Sequence, residues 1–113
     1  MIPWAVLLTA AAFFQGAALL FYFFRWKNSP ALLKCLHGLA GLAGLGALLA
    51  AVFLAGYGLP VRIVTVFFIS VGVGGITILV FRLRSKSPPP LLVLIHAVLG
   101  MAAFVLILAC LGF

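Results

Sequence analysis

Four unbroken apolar stretches run through this chain, and the short segments between them hold nearly all of its charge. Of 113 residues, 68% are hydrophobic and 6% are charged. A domain in water needs a polar exterior, which this composition does not supply. In lipid the demand is reversed: the exterior must be apolar and every backbone polar group must be satisfied internally. Closed barrels meet that demand with short segments of alternating polarity. The runs here are continuous, so the sequence predicts an all-α integral membrane protein, a bundle of four transmembrane helices.

The predicted spans are about Ile2–Phe24, Ala31–Ala55, Val61–Phe81 and Leu91–Leu111. Each is long enough for a hydrocarbon core of about 30 Å at about 1.5 Å per residue. Asn28-Ser29-Pro30, Gly56-Tyr57-Gly58-Leu59-Pro60 and Ser87-Pro88-Pro89-Pro90 mark the breaks. None of these loops can hold a soluble domain, so residues 1–113 read as one transmembrane domain. The first stretch lacks a basic leader and is too long for a signal peptide, so it reads as a retained helix.

All of the formal charge is positive, with seven Lys and Arg and no Asp or Glu. Arg25, Lys27 and Lys34 flank the first loop, and Arg82, Arg84 and Lys86 flank the third; Arg62 alone lies at the middle one. The first and third loops are therefore predicted to face the cytoplasm, with both termini on the other side of a bacterial inner (plasma) membrane. Trp26 falls at one interface, and Trp4 and Tyr57 at the other, as amphipathic rings prefer. Basic residues interleaved with apolar spans point to anionic lipids, an acidic partner or a cofactor's carboxylates rather than nucleic acid.

The two halves match at an offset of 59 residues (37 to 96). Arg25 pairs with Arg84, Lys27 with Lys86, Pro30 with Pro89, His37 with His96, Gly41 with Gly100 and Gly16 with Gly75. Shared Leu and Ala mean little in a membrane chain, but Arg, Lys, Pro, His and Gly in one register point to duplication. Repeat 1 would span about 1–56 and repeat 2 about 60–113. Each repeat has two spans, so both insert in the same direction, around a pseudo-twofold axis along the membrane normal.

His37 and His96 are the only histidines. Each lies about seven residues into its span, roughly 10 Å from the helix start. Ionisable groups within spans are costly and usually face the bundle interior. His37, Gly41 and Gly44 lie at i, i+4 and i+7, and His96, Gly100 and Ala103 repeat that spacing. Six-coordinate haem iron takes one axial ligand on each face, imidazole being a common one. His-x-x-x-Gly on two helices supplies a ligand and clearance for the ring. Arg25, Lys27, Arg84 and Lys86 could pair with haem carboxylates, joined by Lys34 and Arg82. No Cys-x-x-Cys-His motif is present, so the haem would be of b type, with His37 and His96 as the metal ligands.

The plainer reading is that the small residues serve helix packing and the histidines hydrogen-bond across it. Gly72, Gly74 and Gly75 fit close approach, and Gln15 is a polar side chain deep in the first span. Met101 lies off the His96 face. Cys35 and Cys110 fall at opposite ends of their spans and read as small apolar residues. No membrane carboxylate is present for ion-coupled transport, and no nucleophile–base set for hydrolysis. Two functions follow. One is a small electron-transfer subunit with one bis-histidine b haem, exchanging electrons with quinone or with the redox subunits of a larger respiratory complex. The other is a cofactor-free anchor or accessory subunit. Both read as non-catalytic subunits in preference to an enzyme by itself, a point the sequence leaves open.

Overall fold

A computed structural model describes residues 2–26 and 30–110, and the described residues contain four α-helices and no strand. The helices are α1 (Ile2–Arg25), α2 (Ala31–Phe53), α3 (Leu59–Leu83) and α4 (Pro90–Cys110). All four are long and apolar enough to cross a membrane. At 21 to 25 residues each, they are about 30 Å or more in length.

The ends of the helices follow from local chemistry. Gly56 takes φ +71 just after α2, and Tyr57 N–H reaches back to the Ala51 carbonyl at 3.2 Å. This left-handed cap stops α2 at Phe53, two residues before the sequence limit. Pro60 does not delay α3: it occupies the first turn, where a missing N–H costs nothing. Ser85 takes φ 56 after α3, and Lys86 N–H bonds the Phe81 carbonyl at 2.9 Å. Here the strained residue is not a glycine. Lys27 and the expected end of the fourth span at Leu111 lie outside the described residues.

Inter-helix contacts fix the directions. On α1 and α2, Gly16 faces His37, Ala12 faces Gly41 and Thr9 faces Gly44. One number falls as the other rises, so the helices are antiparallel. On α3 and α4, Gly75 faces His96 and Val71 faces Gly100 in the same manner. Each of these hairpins is closely packed within itself, while the α2–α3 and α1–α4 contacts that join the hairpins are sparser. The bundle is therefore a ring of four with a seam between hairpins.

Close approach is concentrated at small residues, as expected where lipid supplies no hydrophobic drive between helices. A Cβ on Gly44 would stand 2.8 Å from Thr9 Cγ2. Thr9 and Thr65 are buried, and each hydroxyl donates to a carbonyl one turn back, Ala5 at 2.7 Å and Val61 at 2.8 Å. Ala5, Leu48, Ala51, Val61, Val64 and Ile107 form the apolar core, at the end of the bundle beside the α2–α3 turn. Phe13 and Phe104 close the seam by stacking at 4.7 Å. Large apolar side chains on every helix face outward, among them Phe14, Leu39, Val73 and Val98. An apolar surface of that extent is suited to lipid contact.

Candidate functional site

The histidines occupy the half of the bundle away from the apolar core, toward the end bearing Arg25, Lys34, Arg82, Arg84 and Lys86. Their ring centroids are 6.2 Å apart, with the ring planes at 85°. One ring comes from each hairpin, so the pair meets across the seam. Both side chains are half-buried.

His37 is held by α1. Its Nδ1–H donates to the Ala12 carbonyl at 2.8 Å, which the carbonyl's second lone pair allows alongside its helical bond. That bond leaves Nε2 as the nitrogen with a free lone pair. The ring lies on Gly16, where a Cβ would stand 2.8 Å from His37 Cε1. Any side chain at residue 16 would push the ring away. With no carboxylate in the chain, a backbone carbonyl is the acceptor that an orienting bond can use here.

His96 sits against α3. A Cβ on Gly74 would stand 3.2 Å from His96 Nδ1, and one on Gly75 would stand 3.3 Å from Cε1. Val71 stands at the position matching Ala12, and His96 Nδ1 has no partner in hydrogen-bonding geometry among the described residues. Residue 74 matches residue 15 at the offset of 59, and there the halves differ: Gly74 on one side, Gln15 on the other. Gln15 Oε1 is buried and also lacks a partner among the described residues.

The residues singled out by the helical stripes are placed differently from one another. Gly41 lies 4.0 Å from the Ala12 methyl, counted from its would-be Cβ, and Gly100 lies 3.8 Å from Val71 Cγ1. Gly44 packs on Thr9, and Ala103 is fully buried. Gly41, Gly44 and Gly100 thus face the partner helix within each hairpin, and the glycines that touch the rings are Gly16, Gly74 and Gly75. The match of Gly16 with Gly75 carried that signal, since it puts a glycine opposite each histidine one helix away. Arg25, Arg84 and Lys86 are exposed, and Arg84 and Lys86 share a shallow groove with Thr77, Val80 and Phe81. Cys35 and Cys110 carry free thiols.

The described residues contain no cluster of three or more His, Cys, Asp or Glu side chains that could hold a metal ion. Two imidazoles alone make a poor cage for a bare ion, which takes three or four protein ligands. A pair of imidazoles could serve a metal whose other positions are filled by a macrocycle. Comparisons with known protein families, curated proteins and solved structures find no match.

Proposed function

We propose that this chain is a small membrane electron-transfer subunit that holds one b-type haem between His37 and His96. The observation that carries the reading is the spacing of the pair. Two imidazoles on opposite faces of one metal ion, each bonded at about 2 Å, put their ring centres roughly 6 Å apart; the observed separation is 6.2 Å. The rings come from different hairpins and meet across the sparser packing plane, where a flat group would displace the fewest contacts. Gly16 and Gly75, at matching positions in the two halves, each lie against one of the rings, which favours an origin by duplication.

Bound haem would supply a one-electron iron couple. The chain's own residues do the rest. The Ala12 carbonyl orients His37 with Nε2 free to ligate, an arrangement typical of metal-bound histidine. Gly16, Gly74 and Gly75 let the neighbouring backbones come up to both rings. The outward apolar side chains keep water from the site. Arg25, Lys27, Arg84 and Lys86 offer cations to the haem carboxylates, with the basic end of the bundle on the cytoplasmic side of a bacterial inner membrane. With both axial positions filled by protein, the site moves electrons rather than activating a substrate, so quinone or the redox subunits of a larger complex would be its partners.

A reduced-minus-oxidised visible spectrum of the purified protein tests this. A low-spin b-type spectrum that neither His37→Ala nor His96→Ala retains supports it. A colourless, folded protein isolated with its native partners sinks it, and leaves a cofactor-free anchor subunit in which His37 serves as a hydrogen-bonded packing residue.

A further inference from the structure

The two histidines match in sequence but are held unequally. His37 donates from Nδ1 to the Ala12 carbonyl at 2.8 Å, whereas His96 Nδ1 is buried without a partner among the described residues. A bond at the far nitrogen fixes a ring's orientation and raises its basicity as a ligand, and losing such a bond typically lowers metal affinity about 10- to 100-fold. Packing adds to the difference. His96 has two glycines against it on α3, Gly74 and Gly75. The matching positions on α1 are Gln15 and Gly16, so α1 carries a side chain where α3 carries none.

We propose that His37 is the fixed axial ligand and His96 the exchangeable one. The reduced site then takes up a small, neutral diatomic π-acceptor, carbon monoxide or nitric oxide, in place of His96. This rests on the haem reading above. When His96 leaves, its Nε2–iron bond breaks and one bond from the diatomic to iron forms; with carbon monoxide both donors are neutral two-electron ligands. Iron stays ferrous and no proton moves. The departing ring breaks no hydrogen bond of good geometry at Nδ1, and it lies against Gly74 and Gly75 on α3. Departure of His37 would instead break its bond to the Ala12 carbonyl and press on Gly16.

The test uses the full chain in detergent or nanodiscs, reduced with dithionite and exposed to carbon monoxide. Wild type is expected to give a ferrous carbon monoxide spectrum. His96→Ala is expected to keep its haem and bind carbon monoxide at least about 10-fold faster than wild type. His37→Ala should retain at most about a tenth of the haem that His96→Ala retains, at equal helical content by circular dichroism. Haem-loaded wild type that forms no adduct overturns this inference while leaving the haem reading intact, and that arm needs no variant. Equal or reversed haem loss in the two variants also overturns it. A wild type that binds no haem overturns both.

Discussion

Gly16 and His37 are fitted to each other: a methyl group on the Gly16 Cα would stand 2.8 Å from His37 Cε1, while the same ring donates to the Ala12 carbonyl one turn away. Gly16→Ala therefore moves the ring rather than the helix. The substitution is expected to break the Ala12 bond, costing about 1–3 kcal/mol for the unpaired buried groups, and to lower haem content by about 10-fold. Circular dichroism should show the four helices still formed. Unchanged haem content in Gly16→Ala would mean that the ring position is not what holds the cofactor.

Helix packing within the first hairpin turns on Gly44. A Cβ there would meet Thr9 Cγ2 at 2.8 Å and the Thr9 backbone nitrogen at 3.3 Å, and neither a β-branched side chain nor a helix backbone yields easily. Gly44→Ala is expected to destabilise the bundle by about 1–3 kcal/mol. Gly46, two residues on, has nothing within 4 Å of a would-be Cβ among the described residues, so Gly46→Ala should be neutral. Thermal or denaturant melting in one detergent compares the two directly.

The helix caps make an opposite pair. Ser85 sits at φ 56 and Gly56 at φ 71, both in the left-handed region that costs a side chain about 1–2 kcal/mol. Ser85→Gly relieves that cost and is expected to stabilise by up to about 1 kcal/mol, net of the added freedom of the unfolded chain. Gly56→Ala should destabilise by about 1 kcal/mol. Melting midpoints that shift in the same direction for both would show that the caps are not set by backbone strain.

Between the hairpins, the Phe13–Phe104 stack at 4.7 Å is the aromatic link across the seam. Phe104→Leu removes a pairing worth about 1 kcal/mol beyond its buried area. The expected result is faster backbone hydrogen exchange in α1 and α4 around these residues, with the α1–α2 contacts at Gly44 unaffected. Uniform loosening of all four helices would show instead that the bundle opens as one unit.

How much of this is legible in the sequence depends on the scale. The four helices are, because continuous apolar runs with charged breaks leave lipid-spanning helices as the solution. Their ends were less so: Phe53 rather than Ala55 closes α2 because Gly56 takes a left-handed cap, and Leu59 rather than Val61 opens α3 because Pro60 fits a first turn. The site divides in the same way. The histidine pair stands out in sequence, since it is polar, unique and in register at 59 residues. Its neighbours do not. The stripe rule puts Gly41 and Gly100 one turn from the histidines on their own helices, but it does not reveal that their nearest neighbours across the hairpins are Ala12 and Val71. Which glycine meets a ring depends on how each helix is rotated and slid against the next. Helices apolar on nearly every side leave that rotation unmarked, because the hydrophobic pattern has no single buried face to reveal. The difference between Gln15 and Gly74 was visible in the alignment of halves, but its bearing on ligand strength needed the positions of Ala12 and Val71.

The most direct measurement is the haem-to-protein ratio of the wild-type chain, purified from haem-replete cells and read by pyridine haemochrome against total protein. The account predicts one b haem per chain, low-spin in both oxidation states. A helical, monodisperse protein that carries no haem and binds none on titration would contradict it.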